Sequence, residues 1–318
     1  MASQSIYPHD HGKMNMEQNQ EKRDPLYAPA TLLIGAAGAG KTSSLATYGA
    51  AGIETFVLFT EPRGVESLLD AIHRLKAPLE LFHWHTVTSP PAGWAALKKM
   101  VATVRVMDFE SISKLKSGVE KTSMRQLEEL LDCIADFPCD RTGKRYGDAT
   151  LWDDSRAFAI DSLTGLNELA WLTTVGYKPT AHEGEWGMAM NLEEALIHKL
   201  TCDCQCFFTL TGHIDREPDP ITGSSRVMPA ALGRKLAPKL TRKFGEVVRA
   251  RRAPDGFWWA TTDAEADLKN RALPVSATIP PDFGILVKAH QSRKSQLLAQ
   301  SQEKAAIEAN RPRSITEP

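Results

Sequence analysis

Lys41 and Thr42 close the run Gly35-Ala36-Ala37-Gly38-Ala39-Gly40-Lys41-Thr42, which follows the apolar stretch Leu32-Leu33-Ile34. The pattern is G-x-x-x-x-G-K-T behind a strand, the spacing of a loop that cradles phosphate oxygens. Its glycines let the backbone turn tightly, so that successive N–H groups from Gly35 to Ser43 point at a polyphosphate. The helix opening at Lys41 adds its positive dipole end. In this arrangement Lys41 reaches the β- and γ-phosphates and Thr42 ligates Mg²⁺. The chemistry implied is the handling of a nucleoside triphosphate.

Three other apolar runs end in residues that suit the same chemistry. Arg156-Ala157-Phe158-Ala159-Ile160-Asp161-Ser162 delivers a carboxylate at a strand end, where Asp161 would hold Mg²⁺. Thr55-Phe56-Val57-Leu58-Phe59-Thr60-Glu61 brings Glu61 to the same edge, placed to orient or deprotonate the water that attacks a γ-phosphate. The simpler alternative for Glu61 is a solvated or helix-capping carboxylate before Pro62. Phe207-Phe208-Thr209-Leu210-Thr211-Gly212-His213 ends in an imidazole that can report whether the γ-phosphate is present, or can be an ordinary loop residue.

The elements that must position these groups are legible in the rhythm of the chain. Short apolar runs at 31–34, 55–59, 81–85, 157–160, 207–210 and 247–251 alternate with helical spacing, which predicts an α/β core with a mostly parallel sheet flanked by helices. Residues 92–150 break that rhythm. Helical spacing at Ala95 to Val104 and at Leu127 to Ile134, with the charged stretch 114–121 between them, predicts a helical insertion with an exposed loop. The domain reading is a polar tail over 1–28, one core over 29–290 carrying the insertion, and a flexible or helical tail over 291–318. A surface helix is predicted within that last tail, at 296–309.

With 318 residues, 42% of them hydrophobic, the chain is long enough for one large core. Its formal net charge of −1 excludes a global basic field, so nucleic-acid binding would need a local patch. Five cysteines include Cys202-Asp203-Cys204-Gln205-Cys206, whose alternation places three thiols on one face of an extended segment. Reduced core thiols entering a strand, and a metal site, are the two readings of it. No apolar run approaches the length that spans a bilayer, so no membrane partner is expected.

The order of these motifs resembles the RecA-type ATPase core, and within it the short phage RecA-like ATPases that include the Sak-type single-strand annealing proteins. Glu185-Trp186-Gly187 and Asp267-Leu268-Lys269-Asn270-Arg271 before Leu273-Pro274 add to the resemblance, which runs from Thr31 to Pro281. It implies ATP as the nucleotide, assembly into a ring or filament, and a K-x-R finger, Lys269 and Arg271, that reaches a neighbouring subunit's nucleotide. It also implies that the segment after His213 lines a DNA path. There Arg234, Lys235, Lys239, Arg242 and Lys243 supply five cations without an acid, a site for a single-stranded phosphate backbone. A solvated basic helix burying Leu236 and Leu240 is the plainer alternative. The expected function is an Mg²⁺- and ATP-dependent protein acting on single-stranded DNA in recombination or annealing, in the cytoplasm, that of the host if phage-encoded. A single-strand binding or replication protein would be a fitting partner. The alternatives are an ATPase that acts on a protein, as a helicase loader or KaiC-like switch, and a nucleotide-binding factor with negligible hydrolysis.

Overall fold

Strands such as Thr-Leu-Leu-Ile, Thr-Phe-Val-Leu-Phe and Ala-Phe-Ala-Ile are apolar on both faces, which suits a sheet covered by helices on each side. A computed structural model of the protein describes residues 26–88, 94–108, 110–111, 125–176, 181–218, 223, 225–233 and 235–309. The strands are β1 (Ala30–Gly35), β2 (Glu54–Phe59), β3 (Phe82–Thr86), β4 (Arg156–Asp161), β5 (Phe207–Gly212), β6 (Ile214–Pro218), β7 (Ser225–Pro229), β8 (Glu246–Ala253) and β9 (Gly256–Ala260). The helices are α1 (Lys41–Ala50), α2 (Gly64–Leu75), α3 (Trp94–Val106), α4 (Gln126–Ala135), α5 (Leu163–Thr174), α6 (Glu183–Asp203), α7 (Ala237–Lys243) and α8 (Phe283–Ala309).

Seven strands form the central sheet in the order β3-β2-β4-β5-β1-β8-β9. All neighbours pair in parallel except β8 and β9, which form an antiparallel hairpin. The α/β sheet foreseen from the sequence is therefore present, and β5 lies between β1 and β4. Strand alternation divides the core into two layers. Leu33, Val57, Phe59, Ala159, Val248 and Trp259 face α1, α2 and the start of α8. Leu32, Phe56, Phe158, Phe208, Leu210 and Val247 face α4, α5, α6 and α7. Each large apolar side chain buried in these layers contributes about 1.5–3 kcal/mol, so both faces hold the strand ends firmly in place.

Several local expectations change. The segment after His213 forms an antiparallel hairpin, β6–β7, where its Pro, Asp and Gly content reads as a loop. A backbone hydrogen bond donated by Val227 N to Glu265 O at 2.7 Å ties that hairpin to the segment before Leu268. The last helix begins at Phe283 instead of 296, because Phe283, Leu286 and Val287 are buried against α1 and β9. Tyr48 of α1 stacks on Phe283 with ring centroids 4.2 Å apart. Of the 92–150 insertion, α3, α4 and the turn closed by the Pro138–Arg145 bridge are described. The charged stretch 114–121 lies outside the described residues.

The three clustered cysteines do not share one face. Cys202 is exposed in the last turn of α6 with its Sγ 3.5 Å from His198 Nδ1, while Cys204 and Cys206 are buried. The helix runs through Asp203, so alternation starts only after it. Among the described residues no three His, Cys, Asp or Glu side chains gather as a metal site, and no helix is long and apolar enough to cross a membrane.

Candidate nucleotide site

The parallel register brings the carboxyl ends of β1, β2, β4 and β5 to one edge, the place where open α/β sheets bind ligands. Between β1 and α1 the loop turns with Gly38 at φ 70° and Gly40 at φ 81°, values open to glycine and strained for other residues. Gly40 caps α1, so the free N–H groups of the helix's first turn face the loop's concavity. Lys41 Nζ donates to the carbonyls of Gly35 at 2.9 Å and Ala36 at 3.0 Å, lying across the loop it would share with a phosphate. Burial pushes its amine below the ordinary lysine range, while the negative charges of Asp161 and Glu61 oppose that shift.

Asp161 sits at the end of β4, beside both β2 and β5. Its carboxylate accepts from Thr42 Oγ1 at 2.6 Å on one oxygen and from Thr211 Oγ1 on the other. Burial pushes its pKa up, against the two hydroxyl bonds and the charge of Lys41. A buried carboxylate beside a threonine hydroxyl is a hard-oxygen donor set, and a divalent cation would offset the cost of its charge. The two residues predicted for Mg²⁺ therefore touch, although 119 positions separate them.

Glu61 follows β2 and lies in the same cleft. Ser162 Oγ donates to Glu61 Oε1, and Ser162 also caps α5 by accepting from Thr164 N at 3.2 Å. His213 Nε2 lies 3.7 Å from that same Glu61 oxygen. Thr60 fixes the crossing: its hydroxyl donates to Ser162 O at 2.8 Å and accepts from Ser162 N at 2.8 Å. Glu61 is thus aimed by a helix cap on one side and bordered by the end of β5 on the other. The cleft has a volume of about 380 Å³ and is lined by the loop residues with Glu61, Arg63, Asp161, Ser162, His213 and Phe257.

Sequence reasoning missed Ser162, Thr211, Thr60 and Phe257. Ser162 carried a signal, since a serine directly after a strand-ending Asp and two residues before Thr164 fits an N-cap. Thr211 was visible as a polar residue inside an apolar strand. Phe257 gave none, because its place over the loop depends on the pairing of β8 with β9.

The two other predicted groups lie elsewhere. Lys269 bridges Val247 near the amino end of β8, and its Nζ donates to Phe244 O at 2.7 Å. Burial, aided by the neighbouring Arg271, pushes its amine below the ordinary range. The Arg271 amide donates to Glu246 at 3.0 Å. Because Val247 aligns with Leu32 and Ala250 with Gly35, both residues sit at the sheet edge opposite the phosphate loop. They are not part of this chain's own cleft. Of the five predicted DNA-contacting cations, Arg234 lies outside the described residues, and Lys235 and Arg242 are exposed. Lys239 and Lys243 approach one acid of α6, Glu194, at 3.1 and 3.4 Å. The run that holds no acid in sequence therefore meets one in space, and those bonds keep the Glu194 carboxyl below its usual range.

No protein-family model matches the chain, and no curated protein matches it in sequence. Among solved structures it is similar to the RadB recombinase at 12% identity and a TM-score of 0.32, over 78% of this chain and 85% of that one. A likeness at that level carries no functional argument, and the cleft's own residues have to supply it.

Proposed function

We propose that the protein is an Mg²⁺-dependent ATPase of RecA-like type that acts on single-stranded DNA in recombination or annealing, in the manner of the phage proteins its motifs resemble. The observation that carries the reading is the convergence of Lys41, Thr42, Asp161, Glu61 and His213 on one cleft from four separate segments. Backbone N–H groups of the loop and Lys41 would hold the triphosphate, and Thr42 with Asp161 would hold Mg²⁺, which neutralises phosphate charge when bound. Glu61, aimed by Ser162, accepts the proton of the attacking water. His213, beside Glu61 and at the root of the β6–β7 hairpin, connects the cleft to the segment proposed to follow DNA. Lys269 and Arg271 would act only on a neighbouring subunit, since their own cleft is out of reach.

One observation favours a second reading. Glu194 offsets part of the positive charge carried by Lys239 and Lys243, which weakens the basic patch and fits an ATPase whose partner is a protein. Binding of labelled single-stranded DNA, measured against salt with and without ATP, separates the two. On the DNA reading, changing Lys239 and Arg242 together to Ala lowers affinity similarly for different sequences and reduces the log–log salt slope by about 1 to 1.5. An unchanged slope and affinity in the folded double variant would favour the protein partner.

A further inference from the structure

A second cleft, of about 370 Å³, opens directly beside the first and shares Gly40, Ser43 and Phe257 with it. Its remaining walls include Thr47, one turn along α1, Arg74 and Leu75 at the end of α2, and Pro281 before α8. The first cleft is charged and the second is walled by Leu75, Phe257 and Pro281. A polar end that suits phosphates thus passes over the first turn of α1 into an apolar end of comparable size.

The ring at the junction is unusual for its position. Phe257 and Trp259 are two residues apart on β9 and so share one face of the sheet. Trp259 is fully buried on that face and meets Phe283 edge-on, with centroids 4.6 Å apart. Phe257 projects past the end of that packing and is 37% exposed. Its ring edge approaches Gly40 closely enough that a Cβ there would lie 3.1 Å from it. Across the hairpin, Arg252 is the register partner of Phe257 and places its guanidinium 5.9 Å from the ring centroid. One ring face is braced by a cation, and an aromatic left uncovered over a phosphate loop is a stacking surface.

We propose that Phe257 is the stacking platform for the nucleobase of the bound nucleotide, with the second cleft receiving the base and Arg252 bracing the ring. The inference rests on the reading of the first cleft as a triphosphate site.

The test compares ATP with inorganic tripolyphosphate, which lacks base and sugar, for the full-length protein in Mg²⁺ by calorimetry. Changing Phe257 to Ala is expected to weaken ATP by about 5- to 160-fold, the range of one lost base–aromatic stack. Tripolyphosphate affinity should stay unchanged, and Phe257→Trp should retain ATP. Photolabelling with 8-azido-ATP should mark peptides from the β8–β9 hairpin or the end of α2. If wild-type protein binds both ligands but Phe257→Ala weakens neither, or the label falls on other peptides, the platform is overturned while the triphosphate site stands. If wild-type protein binds neither ligand, the triphosphate reading fails and the platform with it.

Discussion

Glu193 gives the sharpest quantitative expectation, and it concerns stability. It lies mid-way along α6 with 2% of its surface exposed, and neither carboxylate oxygen has a hydrogen-bond partner among the described residues. The Leu232 amide faces it without closing a bond of normal geometry and offsets only part of the burial, which pushes the pKa from 4.5 to about 8. The folded protein therefore keeps a proton between those values that the unfolded chain releases. With more protons bound to the folded state, stability falls as pH rises through this window and levels off above about 8. At 1.36 kcal/mol per unit, the shift sets a ceiling of about 5 kcal/mol on the loss. Glu193→Gln keeps the shape and cannot ionise, so it should match wild type near pH 4 and exceed it progressively toward pH 8.5. Urea unfolding of both proteins at half-unit intervals measures the difference directly. Parallel stability profiles across pH 4–8.5, or a constant offset, would refute the reasoning, since either requires that Glu193 ionises as easily folded as unfolded.

The remaining expectations concern the cleft and its proposed neighbour. Lys41→Ala should abolish measurable ATP binding in a filter assay while the protein still folds, because its two bonds go only to the carbonyls of Gly35, at the end of β1, and of Ala36. Glu61→Gln should keep nucleotide affinity and slow single-turnover hydrolysis by at least about 10²-fold. Ser162→Ala should slow it about 10-fold and cost about 1 kcal/mol of stability through the lost cap, measured by melting. Lys269→Ala and Arg271→Ala proteins should bind ATP normally yet turn it over slowly, and mixing either with Lys41→Ala protein should restore part of the activity; cross-linked mixtures that stay inactive would count against action across subunits.

How much of this was legible from residue order depends on how local each cause is. Strands β1, β2, β4 and β5 could be read because each is an apolar run that needs cover on two sides, whatever its neighbours. Asp161 and Glu61 followed from the same runs, as the polar residues that end them. The hairpin of β8 and β9 was missed on its second strand, where Phe257-Trp258-Trp259 lies within reach of Pro254 and Gly256 and owes its form to pairing with β8. Charge balance was non-local as well: Glu194 meets Lys239 from 45 positions away. The two hydroxyls on Asp161 come from Thr42 and Thr211, and no spacing rule links the first turn of α1 with the ends of β4 and β5.

The placement of Lys269 and Arg271 at the amino edge of the sheet, with the phosphate loop at the carboxyl edge, has a consequence for symmetry. If that pair completes a neighbour's site, the contact joins two different surfaces and does not map onto itself under a two-fold rotation. Each molecule then offers one donor edge and one acceptor edge, so association either closes as a cyclic ring or continues as a helical filament. A filament end would hold one cleft without a donor, and shorter assemblies would carry proportionally more of such idle clefts. Activity per subunit would therefore rise with assembly length in a filament and stay fixed in a ring.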